Sequence, residues 1–308
     1  MPVGMLIDGQ WSADDRRRTD ANGAFVRESS AFRKRVGDAE HPPASGRYHL
    51  FVNAGCPWAY RTILYRSIKG LIPHIGISYT QPAQGPEGWT FGAPEPLLGA
   101  VHMHHVYTQA DASFTGRTTV PVLWDKQAQT IVNNESAEII RMLNTEFDDL
   151  PGVVQQDFYP AELAGEIDAI NAEVYETVNN GVYRCGFAQS QPAYEEAFDH
   201  LFATLDRLDQ RLADQRYLCG DVITEADWRL FATLVRFDLA YYGMFRCNRN
   251  LLSEFTNLWP YTRDLYQQPG VAETVDVDAI KGIYWGSRKP GILPKGPRID
   301  FAAPAGRD

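Results

Sequence analysis

The stretch over residues 48–70, YHLFVNAGCPWAYRTILYRSIKG, decides how the fold is read. Its first seven residues form a short apolar run bounded by Gly46 and Gly55, and they read as a buried strand. Residues 57–69 read as a helix. Pro57 suits the first helical position, where a backbone N–H has no partner in any case, and Gly70 suits the position just past the last turn. Ile63, Leu64, Ile68 and Leu71 supply an apolar face at helical spacing. Between strand and helix stands Cys56, immediately before the proline and therefore at the helix N-cap.

Downstream, HIGISYT (residues 74–80) reads as the next strand. The Pro- and Gly-rich segment 81–100 excludes regular structure for most of its length, and a loop this long in a compact domain is usually functional or mobile. TVPVLWD (119–125) is a strand interrupted by Pro121. TIVNN (130–134) is another, joined to it by a hairpin turn. ESAEIIRMLNTEF then reads as a helix with Asn134 as N-cap and Ile139, Ile140, Leu143 and Phe147 facing inward. This order gives an α/β layer arrangement with a mixed sheet. From Pro160 the strand signals largely stop and three long helical segments follow. The third starts with a capping-box-like pair, Thr224 and Asp227, with Ile223 placed to staple onto Trp228. The partition is an arm over 1–45, an α/β domain over 46–150, an all-α domain over 151–270 and a tail over 271–308. The tail, rich in Gly and Pro, is expected to wrap the surface rather than form helix. Phe25 and Phe32 are candidates to pin the arm to the body.

The 308 residues, 44% hydrophobic, suffice for a sizeable core and two domains. The net charge of −10 and the absence of a long basic stripe argue against nucleic-acid binding. The one tight basic run, residues 16–18, lies among acidic residues and reads as a solvated loop. The opening MPVGMLIDGQW has no basic segment followed by an apolar one, so no secretory signal is expected. No apolar run approaches the ~18 residues of a membrane span. These features give the expectation of a soluble cytoplasmic protein. The four cysteines, Cys56, Cys185, Cys219 and Cys247, show no C-x-x-C or metal-ligand spacing. HMHH, residues 102–105, has no acidic or cysteine ligand nearby in sequence. It reads as loop or strand edge rather than a metal site, and no metal is expected.

A thiol at a helix N-cap faces free backbone N–H groups and the positive end of the helix dipole, which favour thiolate. Ala59 stands where a two-thiol motif would have its second cysteine, so a disulfide cycle within one motif is excluded and a mixed disulfide with an external thiol is the natural alternative. A strand-opening proline such as Pro121 is often cis. The backbone of Val120 would then face outward, able to pair with a peptide-like ligand as an added strand does. Taken alone, a plain edge-strand proline is as good a reading. Glu135 and Ser136 open a helix, where N–H groups and a hydroxyl suit a carboxylate and the glutamate suits an ammonium group. On that pair alone, ordinary helix capping is the favoured reading.

Taken together, these features resemble the glutathione transferase superfamily, a thioredoxin-like α/β N-terminal domain followed by an all-α C-terminal domain. Cys-Pro-Trp-Ala at 56–59, GAFVRESSAFR, TVPVLWDKQAQTIVNNESAEIIRMLN, EVYETVNNGVYRCGFA and the tail around IYW resemble its Xi class, the glutathionyl-hydroquinone reductases, over residues 23–297. The resemblance implies a reductase. Cys56 would attack the sulfur of a glutathionylated hydroquinone and form a mixed disulfide, which a second glutathione resolves. It implies that Trp89 closes over the thiol ligand, that Val120 with Pro121 offers backbone bonds, and that Glu135 and Ser136 hold the γ-glutamyl end. Tyr175 and Tyr284 would line an aromatic pocket, with Tyr183 and Tyr241 as competitors. It also implies a homodimer. Two departures stand out. Tyr60 replaces the family's histidine, and Tyr284-Trp285 with Ser287-Arg288 replaces its Tyr-Tyr and Ser-His. Three alternatives remain: a conjugating transferase using Tyr48, a reductase serving another small thiol, and a non-enzymatic ligand carrier.

Overall fold

Two short strands, β1 Met5–Ile7 and β2 Gln10–Ser12, pair antiparallel across Asp8 and Gly9. Both turn residues have positive φ (47° and 76°), the geometry that matches the twist of a tight hairpin. A Cβ on Gly9 would lie 1.9 Å from the Ala112 carbonyl oxygen, so this turn admits only glycine. The computed structural model describes residues 4–13, 19–286 and 291–307. The basic run at 16–18 and the Ser287-Arg288 pair lie outside the described residues.

The central sheet follows the sequence order anticipated above. Strand β3 Tyr48–Val52 leads through α1 Pro57–Ile68 to β4 Gly76–Tyr79, which pairs with β3 in parallel. After the long loop and α2 Met103–Ala110 come β5 Val122–Asp125, β6 Thr130–Asn133 and α3 Ser136–Thr145. The strand order is β4-β3-β5-β6, with the last two pairings antiparallel, so the sheet is mixed. A parallel pair needs a crossover, and α1 supplies it. Helices α1 and α3 pack on one another. Leu50, Phe51, Val52, Val122, Leu123 and Trp124 are fully buried, each worth about 2 kcal/mol of hydrophobic stabilisation.

The arm pairs with the edge of this sheet. Lys34 N–H donates to Val132 O (3.0 Å) and Asn134 N–H to Phe32 O (3.1 Å), which satisfies backbone groups that β6 would otherwise leave open. Phe32 packs against Tyr107 and Phe114, and Phe25 against Phe187, so both aromatics anchor the arm. Asp125 at the end of β5 accepts from Arg47 Nε (2.9 Å), His41 Nδ1 (2.9 Å) and the Gln127 and Ala128 amides (2.8 and 3.1 Å).

Two expectations for this region are corrected. Residues 103–105 are not loop or strand edge but the first turn of α2, and His102, bridged to Thr90, is its N-cap. Met103, Val106 and Tyr107 fall at helical spacing and are buried, and that burial sets the conformation. The N-cap of α3 is Glu135, not Asn134. Asn134 cannot cap because its side chain is engaged elsewhere, accepting from Phe32 N–H (3.0 Å) and donating to the Tyr107 hydroxyl (3.0 Å).

The described residues fall into two compact units. One holds 4–13, 28–156, 274–286 and 291–293, and the other 19–27, 157–273 and 294–307. In the second, α4 Ala164–Val174 runs through a π-helical turn, Tyr175–Asn179, towards α5 Gly181–Phe187. The 24-residue α6 Gln191–Asp214 is capped by Ser190. Helix α7 Glu225–Arg236 is buried along its whole length. The Thr224–Asp227 capping box forms, and Asp227 also accepts from Leu218 N–H (2.9 Å) and the Tyr261 hydroxyl (2.8 Å). A second π-helical turn, Phe237–Tyr241, leads into the single turn α8 Tyr242–Met244, and α9 Leu258–Tyr266 follows.

The C-terminal segment is also corrected. Instead of a helix-free wrap, it contains α10 Val277–Trp285, capped by Asp276, whose carboxylate accepts from Ala279 N–H (2.8 Å). This helix belongs to the first unit. Ala279, Ile280 and Tyr284 give it a buried face, and the glycines and prolines that suggested a wrap lie mostly beyond it.

Candidate active site

Cys56 is the N-cap of α1, in extended conformation, and only 6% exposed. Asn53 builds the turn that carries it. The Asn53 Oδ1 accepts from both Gly55 N–H (2.9 Å) and Cys56 N–H (3.1 Å). The same side chain donates through Nδ2 to Thr80 Oγ1 (3.0 Å) and Gln81 O (2.8 Å). One buried amide therefore fixes the cysteine and also the start of the loop in which Trp89 lies. The Cys56 thiol makes no capping bond to the first-turn amides. Its Sγ lies 4.0 Å from Val120 O.

The Val120-Pro121 bond is cis. The Val120 carbonyl faces the thiol, and the Val120 N–H has no acceptor among the described residues. On the neighbouring helix, Glu135 caps α3 by accepting from Ala137 N–H (3.1 Å), and it accepts from the Ser30 hydroxyl (3.0 Å) of the arm. Ser136 is buried, and its hydroxyl accepts from Arg61 Nη1 (3.3 Å). Arg61 lies on α1 beneath Cys56, with its guanidinium 4.7 Å from the Trp58 ring centre. Asn53, Arg61 and Ser30 were not singled out in the sequence. A buried arginine on an otherwise apolar helix face was the one available signal.

Helix α10 closes directly on this turn. A Cβ on Gly55 would lie 2.4 Å from Ala279 O and 2.8 Å from Ile283 Cγ2, so the approach depends on glycine beside the cysteine. Tyr284, the next residue along that helix, is buried. Trp89 is 8% exposed, and its carbonyl accepts from Met103 N–H (2.8 Å) at the start of α2. Tyr175 belongs to the second unit, half-buried at the first position of the π-helical turn. Its competitors Tyr183 and Tyr241 pack in an aromatic cluster with Phe245, and Arg27 lies 5.0 Å from the Tyr183 ring centre.

Two of the other thiols are held in the neutral form by burial. Burial pushes Cys219 up to about 11 and Cys247 well above the ordinary thiol value. Tyr48 is equally unsuited to activating a thiol. Its hydroxyl donates to Pro42 O (2.9 Å) and burial raises it to about 12.

Residues 55–146 match the family model "Glutathione S-transferase, N-terminal domain", and residues 191–264 match "Glutathione S-transferase, C-terminal domain". The chain is 46% identical to glutathionyl-hydroquinone reductase YqjG of Escherichia coli over 99% of each protein. It is 46% identical to glutathionyl-hydroquinone reductase PcpF of Sphingobium chlorophenolicum over 96% of each. Among solved structures it is similar to a Xi class glutathione transferase from Natrialba magadii, with a TM-score of 0.91, 44% identity, and 99% and 97% of the two chains covered. A glutathione-bound structure of YqjG superposes with a TM-score of 0.86, at 44% identity over 99% of each chain. The chain is a Xi class glutathione transferase. In this member of the class, Tyr60 is fully buried and its hydroxyl lies 3.0 Å from Thr274 Oγ1, so the residue that departs from the class pattern ties α1 to the segment entering α10.

Proposed function

We propose that this transferase is a glutathione-dependent reductase that removes glutathione from glutathionyl-hydroquinones, with Cys56 as nucleophile. The thiolate attacks the glutathionyl sulfur, an S–S bond forms and the carbon–sulfur bond breaks. The ring carbon takes the electron pair and a proton, and hydroquinone leaves. A second glutathione attacks the mixed disulfide, releasing glutathione disulfide and restoring the Cys56 thiolate. Substrate carbon is reduced, and the substrate's thioether sulfur and the thiol of the second glutathione are oxidised to one disulfide.

The observation that carries this reading is a thiol at the N-cap of α1 beside the backbone of Val120, in a chain 46% identical to two reductases of that name. In this reading the open Val120 N–H and its carbonyl bind the cysteinyl part of glutathione as an added strand would. The start of α3, with Ser136, Glu135 and the Arg61 cation, holds the γ-glutamyl end. Trp89 covers the thiol, and Tyr284 and Tyr175 bond the phenolic oxygens of the aromatic substrate. The working form is a homodimer in the cytoplasm. No helix among the described residues is long and apolar enough to cross a membrane.

The conjugating alternative needs Tyr48 as activator, and the Tyr48 hydroxyl is committed to Pro42. Turnover of a glutathionyl-hydroquinone by two variants separates the readings. Cys56→Ala abolishes hydroquinone release while Tyr48→Phe retains it within about threefold, under ~1 kcal/mol of barrier. Retained turnover in Cys56→Ala overturns the mechanism.

A further inference from the structure

The histidine run that the sequence reading set aside gains an acidic partner in the fold. Glu87, His102 and His104 each present one donor atom, and the three atoms lie within 4.8 Å of one another. His104 Nε2 is 3.1 Å from Glu87 Oε2. The His102 and His104 rings stack with centroids 5.2 Å apart and planes 4° from parallel. His102 is held at the start of α2 in a capping box with His105. We propose that Glu87, His102 and His104 form a binding site for one divalent transition-metal ion of the zinc type.

The surroundings hold this arrangement in place. The Trp11 ring stacks on His104 at 4.9 Å. The turn that carries Glu87 is closed by reciprocal Gly85 and Gly88 backbone bonds (2.9 and 3.1 Å). Gly88, at φ 72°, lets that turn approach Trp11, since a Cβ there would sit 2.9 Å from the ring. His105 Nδ1 accepts from Val101 N–H (3.3 Å), which orders the residues entering α2. Two imidazoles and one carboxylate suit zinc, cobalt, nickel or copper rather than calcium or magnesium, which require oxygen ligands. Tetrahedral ligand atoms on zinc are about 3.3 Å apart, so the side chains draw together on binding. Glu87, whose side chain is 50% exposed, has the room to do so and leaves an open side for entry and for water.

The ion would join the Glu87 turn to the first turn of α2. Trp89 lies between them in sequence, with its carbonyl bonded to Met103 N–H (2.8 Å). The site is thus a staple on the loop that carries Trp89, outside the Cys56 turn, and it stands whether or not the reductase reading does.

The test uses the untagged full-length chain in a Cys56→Ser background, which removes the competing thiolate, after chelator treatment. Equilibrium dialysis with Zn²⁺ and elemental analysis gives stoichiometry, and Co²⁺ gives a visible d–d spectrum that reports nitrogen and oxygen ligation. One ion per chain is expected, with affinity falling at least about tenfold in Glu87→Gln and in His102→Ala. Both side chains are partly exposed, and circular dichroism verifies that the variants fold. Zn²⁺ should also raise the thermal midpoint of the parent and not of Glu87→Gln. Absence of binding at millimolar metal, or stoichiometric binding unchanged in both variants, overturns the proposal.

Discussion

At the scale of single residues, the site depends on Asn53 as much as on Cys56. One buried side-chain amide accepts the Gly55 and Cys56 N–H groups and donates to Thr80 and Gln81. Removing it deletes these four bonds, each worth about 0.5–1.5 kcal/mol net before relaxation, while Cys56 N–H keeps the Asn53 main-chain carbonyl at 3.2 Å. Asn53→Ala should therefore lose about 3 kcal/mol in denaturant unfolding and also lower turnover, because the cysteine turn loosens. A loss below about 1 kcal/mol would mean that water replaces those bonds. Cys56 itself was legible in the sequence, since a Cys-Pro pair between an apolar strand and an amphipathic segment defines an N-cap by local rules alone. Asn53 was not legible, because the partners that tie it to the loop, Thr80 and Gln81, lie nearly thirty residues away and a lone asparagine two residues before a glycine reads as a turn.

At the scale of elements, the loop over 81–100 and the helix that follows it form one unit of behaviour. The loop is bonded at its start to Asn53, and Trp89 O accepts from Met103 N–H in α2. Trp89→Ala would remove a nearly buried side chain and mix stability with binding, so Trp89→Phe is the cleaner variant. It should raise KM for glutathione about tenfold, ~1.4 kcal/mol, with an unfolding midpoint close to that of the parent. An unchanged KM would remove Trp89 from the thiol site. Elements with both a cap and a periodic face were readable: α1 from Pro57 and Gly70, α7 from Thr224 and Asp227. Helix α2 was missed although Met103, Val106 and Tyr107 show helical spacing, because three histidines masked it. Helix α10 was missed because Gly282 and Gly286 broke the expected composition, and in the fold Gly282 faces Pro82, to which a Cβ would come within 2.7 Å. Glu87 meeting His104 is a tertiary event with no local signature.

At the scale of the molecule, the first unit is gathered at Asp125, where the arm, the start of β3 and the β5–β6 turn meet. Burial alone would push this carboxyl up. The Arg47 and His41 bonds and the turn amides outweigh it and hold Asp125 well below the usual carboxylate range. A carboxyl with a lowered folded-state pKa contributes stability that is present above its unfolded value near ~3.9 and is lost as pH falls below it. Thermal melts should accordingly show the parent losing stability below about pH 4. Asp125→Asn should be less stable at neutral pH by on the order of 3 kcal/mol and flatter in that acid range. Equal slopes in the two proteins would show that other carboxyls govern acid unfolding. The account as a whole rests on Cys56 taking sulfur from a substrate. Its most direct test is the intact mass of the protein after mixing with a glutathionyl-hydroquinone and no added glutathione. The account predicts a glutathione-sized adduct on Cys56, with free hydroquinone released in equal amount. A reactive Cys56 that acquires no such adduct, or an adduct that includes the aromatic ring, would contradict it.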